Sequence, residues 1–188
     1  SRTLEAVRTF ANEKLGTPVV IGSSSDFTDL PSNVKIIDPA TFPDWTKLIQ
    51  HYQSRRAKDG LTNTQVRELL TDPVWFGTAL VALGEADGLI AGALSPTSHV
   101  LRAALKIVGT APNISTVSSA MLMLLPTRDF GENGILLFSD CAVIPEPTSE
   151  QLAEIGAASA QTWSNLIGTE PKLAFLSFSS MGSAEHPA

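Results

Sequence analysis

Apolar residues recur along the chain at two spacings, and the alternation between them predicts the elements. Leu4, Val7, Phe10 and Leu15 fall at helical intervals, which predicts an amphipathic helix stopping at Gly16. Thr17 to Gly22 then reads as a short buried strand, and Val34 to Ile37 as a second, closed by Asp38 and Pro39. Trp45, Leu48, Ile49 and Tyr52 open the next helix, which runs into the basic residues Arg55, Arg56 and Lys58. Thr62 with Gln65 forms a capping box for a helix through Leu70. Asp72 and Pro73 supply the N-cap and first-turn proline of a helix from Val74 to about Leu83, with Gly84 as its stop.

The second half is patterned the same way. Gly88 to Ala93 reads as a strand of small residues, Ser95 to Ser98 as a helix start, and His99 to Val108 as a helix ending at Gly109. Val117 to Leu125 and Ile135 to Phe138 read as paired strands, joined by hairpin chemistry at Asp129 to Gly134. Pro145-Glu146-Pro147 breaks the chain before Thr148, which with Gln151 caps a long helix to about Leu166. Lys172 to Phe178 reads as a last strand, leading into a serine-rich segment.

Strands alternating with helices predict an α/β fold, a largely parallel sheet carrying one antiparallel hairpin. The prolines at 145 and 147 are the candidate hinge, dividing the chain into a first domain over 1–145 and the start of a second over 146–188. The chain opens inside a helical pattern and stops soon after a strand. Truncation at both ends is therefore expected, the first domain lacking its opening strand and the second being incomplete.

Composition narrows the function classes. The chain has 188 residues, 43% hydrophobic and 17% charged, with a net charge of -6, which leaves no electrostatic footprint for nucleic acid. A small anion remains a suitable ligand, since a few local arginines bind one inside an acidic protein. One cysteine excludes an intrachain disulfide, and three scattered histidines with it make no metal site. The N-terminal residues lack a signal-peptide pattern, and no apolar run is long enough to cross a bilayer. A cytoplasmic protein without membrane or nucleic-acid partners is expected. Phosphate-loop, dinucleotide-fold and nucleophile-elbow motifs are absent from the sequence.

Two segments have the chemistry of anion binding. Thr97 and Ser98 offer hydroxyls and free N–H groups at a helix N-terminus, and Arg102 lies about one turn further on. The alternative reading there is a helix cap with a surface arginine. Ser177, Ser179 and Ser180 follow the last strand beside Gly182, where backbone N–H groups could cradle a phosphate; a flexible polar loop is the alternative. Arg55, Arg56 and Lys58 suit a helix C-terminus, with one arginine facing a cleft as the other possibility. Cys141 in its apolar run reads as a small buried hydrophobe rather than a nucleophile.

The run from Glu85 through Gly88, Ala91-Gly92-Ala93, Thr97, Arg102, Leu105 and Thr110-Ala111-Pro112 resembles the phosphate acetyltransferase signature. So do Val117-Ser118-Ser119, Met123-Leu124-Leu125-Pro126, Asp140 through Thr148, Glu150 through Ile155, and Glu170-Pro171-Lys172 through Ser177, in order and register. The resemblance implies two α/β domains with a cleft between them, a three-layer fold like the isocitrate and isopropylmalate dehydrogenases, and a homodimer. It implies exchange of an acetyl group between acetyl phosphate and coenzyme A, giving acetyl-CoA and inorganic phosphate. No metal or organic cofactor is implied, coenzyme A being a substrate.

By position, Arg102 matches the family's arginine at the substrate site, and Thr97 a hydroxyl residue lining it. Arg56 matches an arginine ending the preceding helix, and Ser177, Ser179 and Ser180 match a serine-rich loop at the cleft. The family's catalytic aspartate, with its partner serine and arginine, is implied to lie beyond Ala188. Ser95, Pro96 and Ala103 depart from the family pattern beside the proposed site. Phosphate butyryltransferase-like chemistry and a non-catalytic module binding coenzyme A or acyl phosphate are the alternative readings.

Overall fold

The computed structural model describes residues 2–112 and 114–176. The fold is mixed α/β, and contacts divide the chain into two compact units, Ser1–Gly109 and Thr110–Ala188.

In the first unit α1 spans Arg2–Asn12, β1 Val19–Ile21, β2 Lys35–Ile37, α2 Trp45–Arg56, α3 Asn63–Leu69, α4 Pro73–Ala82 and α5 Thr97–Ile107. β1 and β2 pair in parallel, Val20 opposite Ile36. Local chemistry sets the helix starts. Thr62 and Gln65 exchange side-chain and backbone hydrogen bonds at the head of α3, as a capping box requires. The Asp72 carboxylate accepts from the N–H groups of Val74 and Trp75 at 2.9 and 3.2 Å, and Pro73 follows at the first helical position.

α4 carries its apolar residues all round and is buried accordingly, from Trp75 through Leu80. Around it close Trp45, Leu48 and Tyr52 from α2, Val66 and Leu70 from α3 and its end, and Ala103 and Ile107 from α5. Phe42 meets Phe76 edge-on at 5.3 Å between centroids, and the Arg67 guanidinium lies 4.6 Å above the Trp45 ring. Gly77 lets neighbours close on α4: a Cβ there would stand 2.9 Å from Leu89 and 3.0 Å from Ile21.

In the second unit β3 spans Met121–Leu124, β4 Ile135–Phe138 and α6 Ser149–Ile167. β3 and β4 form the expected antiparallel hairpin, Leu122 opposite Leu137. α6 begins with the Thr148–Gln151 capping box and ends at Gly168, whose φ of 80° is the left-handed stop a C-terminus needs. The Glu154 carboxylate on α6 accepts from the N–H groups of Ser115 and Thr116 and from the Ser115 hydroxyl.

Two predicted strands are not strands. Residues 88–93 lie over α4 through Leu89 but join no ladder, and Ile90 is 96% exposed. Small apolar residues satisfy the packing, while Gly92 at φ 111° leaves the β region and no described strand stands alongside. Residues 172–176 likewise pair with no described strand. Leu173 and Phe175 rest instead on α6 at Gly156, where a Cβ would meet Phe175 at 2.8 Å. Residues 177 and 178 of that predicted strand lie outside the described residues. The strand expected over Val117 to Leu125 is confined to β3.

Candidate functional site

α5 sorts its residues by face. Ala103 and Ile107 are buried, and His99 turns inward, its Nε2 3.2 Å from both carboxylate oxygens of Asp72 and its ring edge-on to Trp75. Asp72 therefore caps α4 and ties down the first turn of α5 with one carboxylate. Asp72→Ala is expected to destabilise the protein by about 2 kcal/mol, and Asp72→Asn by less, read as the shift in urea midpoint.

The outer face carries the candidate chemistry. Thr97 and Ser98 are exposed in the first turn, where Pro96 provides no side-chain cap and the helix dipole is positive. Arg102 is exposed, with no hydrogen bond or ion pair to another described residue. Helix geometry refines the expected pairing. Four residues separate Ser98 from Arg102 and Arg102 from Lys106, so these three line one face, whereas Thr97 is turned about 140° from Arg102. Ser98 is the hydroxyl that stands over the arginine.

At the far end of that face a carboxylate gathers donors. The 3-10 turn Ala57–Asp59 follows α2 directly. One oxygen of Asp59, Oδ2, accepts from Lys106 Nζ at 2.8 Å and from the Tyr52 hydroxyl at 2.9 Å, with Arg56 Nε 3.6 Å away. The bonds from Lys106 and Tyr52 hold the Asp59 carboxyl below its ordinary range. Burial, with the hydrogen bond to Asp59 and its charge, pushes the Tyr52 phenol up to about 12. Arg56 Nε is buried with no hydrogen-bond partner among the described residues, while 38% of the side chain stays exposed. A shallow hollow of about 170 Å³ beside it is lined by Tyr52, Gln53, Arg56, Ala57, Leu61 and Val66.

The neighbouring basic residue has a structural part. His51 Nε2 lies 3.0 Å from the Ile107 carbonyl at the C-terminus of α5, and the Arg55 guanidinium packs over Gly109. A Cβ on Gly109 would come within 2.0 Å of it. Of the sequence candidates the structure thus brings Arg56 next to Lys106, one turn along from Arg102. Thr97 sits at the head of the same helix on another face. Ser177, Ser179 and Ser180 lie outside the described residues. Sequence reasoning missed Asp59 and Lys106; the four-residue spacing of Lys106 from Arg102 was the available signal.

In the second unit Asp140 organises a turn. Its carboxylate accepts from the Ser119 hydroxyl, from Ser119 N–H at 2.8 Å, and from the N–H groups of Ala142, Val143 and Ile144. Burial pushes this carboxyl up, but the hydrogen bonds outweigh burial and hold it far below the ordinary range. Cys141 is exposed on the outside of this turn, not buried as its apolar neighbours led one to expect. Its thiol is 3.3 Å from the Phe138 carbonyl. Among the described residues no group of three His, Cys, Asp or Glu side chains is arranged to hold a metal, and no helix is long and apolar enough to cross a membrane.

Residues 1–188 match the family model described as phosphate acetyl/butaryl transferase. The chain belongs to that family. The phosphate acetyltransferase of Thermoanaerobacterium thermosaccharolyticum is 40% identical over 190 residues, covering 98% of this chain and 58% of the relative. That of Clostridium acetobutylicum is 36% identical, covering 98% of this chain and 57% of the relative. A phosphotransacetylase crystal structure from Streptococcus pyogenes superposes with a TM-score of 0.80 at 31% identity, over 99% of this chain and 57% of that one. A phosphotransacetylase from Staphylococcus aureus gives 0.78 at 36% identity, over 99% and 56%. The chain therefore spans somewhat over half the length of these members of the phosphate acetyl/butaryl transferase family.

Proposed function

We propose that the protein acts as a phosphate acetyltransferase, exchanging an acetyl group between inorganic phosphate and coenzyme A. The observation that supports this most is the exposed Arg102 on the outer face of α5, without a partner among the described residues, in a chain that matches the family over all its residues. In this reading the coenzyme A thiol loses its proton to a base outside the described residues, and the thiolate attacks the acetyl carbonyl carbon. A carbon–sulfur bond forms, the bond from that carbon to the phosphate oxygen breaks, and phosphate leaves. Negative charge grows on the carbonyl oxygen and the departing phosphate. Arg102, with Ser98 above it and the helix N-terminus beyond, supplies the fixed positive field that this charge needs. Arg56 adds a second cation, Thr97 a hydroxyl at the mouth, and Ser177, Ser179 and Ser180 belong to the same reading as phosphate or coenzyme A contacts.

The reading includes a cytoplasmic homodimer whose two domains, with a boundary near Pro145 to Pro147, are built like the isocitrate and isopropylmalate dehydrogenases. Coenzyme A enters as substrate, with no metal or organic cofactor in the chemistry. The test is thioester formation by the complete gene product containing these residues, supplied with coenzyme A and either acetyl or butyryl phosphate. Acetyl-CoA should form faster than butyryl-CoA. A butyryl preference would move the protein to the other branch of the family, and no thioester from either donor would overturn the transferase reading.

A further inference from the structure

We infer that Asp59 is a positioning residue, holding Lys106 and Arg56 together at the end of the cationic face of α5 so that Arg56 meets the same anionic substrate as Arg102. This rests on the acyl-transfer reading above. The carboxylate joins two helices: Tyr52 and Arg56 belong to α2 and Lys106 to α5, and all three converge on one oxygen, at 2.9, 3.6 and 2.8 Å. Gly60, at φ 64°, closes the turn that carries Asp59 back over the end of α2. Without this negative charge the Lys106 ammonium and the Arg56 guanidinium would face each other directly. Two like charges at such range, in a partly desolvated site, repel strongly enough to drive them apart. Arg56 Nε makes no hydrogen bond to a described residue, so its ion pair with Asp59 is what holds the guanidinium there. Lys106 lies four residues from Arg102 on one face, so a displaced Arg56 is lost from the neighbourhood of Arg102.

The experiment uses the complete gene product and steady-state kinetics with acetyl phosphate, comparing wild type, Asp59→Asn, Asp59→Glu, Arg56→Gln and the double variant Asp59→Asn/Arg56→Gln. Asp59→Asn is expected to raise KM about tenfold while leaving kcat within about threefold, the size of coupling usual for residues in one charged network. Asp59→Glu should recover most of the loss. In the Arg56→Gln background the Asn substitution should add almost nothing, because the charge it positions is already gone. Lys106→Met removes the repelling ammonium instead, so Asp59→Asn should raise KM far less in that background, giving a second route if Asp59→Asn alone does not fold. A merely structural aspartate would lower the melting temperature yet leave KM unchanged, and one acting independently of Arg56 would raise KM by the same factor in the Arg56→Gln background. Either result overturns the assignment. If wild type itself makes no acetyl-CoA, the functional reading fails and this inference falls with it. An active wild type with a kinetically silent Asp59→Asn sinks the inference alone.

Discussion

Arg102→Ala in the complete gene product is expected to lower kcat/KM for acetyl phosphate by about a thousandfold, with the melting temperature unchanged. The size follows from the kind of group removed: a preorganised donor aimed at developing negative charge contributes about 3 to 4 kcal/mol to the barrier. The unchanged melting temperature follows from the structure, since the side chain is exposed and bonds to no described residue. Arg102→Lys keeps the charge but not the planar pair of donors, and should recover only part of the rate. A loss confined to KM would mean that Arg102 binds ground state and transition state alike. A full-rate Arg102→Ala enzyme would remove the outer face of α5 from the site and leave it as an ordinary solvated surface.

The second large effect is on stability, at Asp140. Asp140→Ala withdraws a carboxylate that serves five donors, four of them backbone N–H groups, and should cost about 3 kcal/mol in a urea titration. The same residue makes stability depend on acid. Its folded value lies below the ordinary 3.8, so the unfolded chain binds a proton more readily than the native one. The stabilising contribution is complete above the ordinary value and is lost as the pH falls through the depressed folded value. Wild type should therefore lose melting temperature more steeply than Asp140→Ala below about pH 4. Parallel curves for the two proteins would show that the turn around Asp140 does not depend on its charge.

The helix starts were legible because each is a local bargain among a few neighbouring residues. Thr62 with Gln65, Asp72 with Pro73, and Thr148 with Gln151 are each decided within four positions, and all three cap as their spacing implies. The strands at 88–93 and 172–176 were misread for the opposite reason. An apolar run shows that a segment will pack, and both do, through Leu89 on α4 and Phe175 on α6. Whether it joins a ladder depends on a partner strand that the local pattern does not contain. The site divides the same way. Arg102 and Ser98 could be found from helical spacing. Asp59 owes its place to Lys106, a partner 47 positions away, and no short-range pattern encodes that.

The link between Asp59 and Lys106 also bears on how members of this family can be recombined. Where only one parent carries the pair, a chimaera that took α2 and its following turn from one relative and α5 from another would inherit half of it. It would set an unanswered ammonium or an unanswered carboxylate at the edge of the site. Crossovers that carry both segments from one parent keep the charges matched, so residues 52 to 106 behave as a single heritable block.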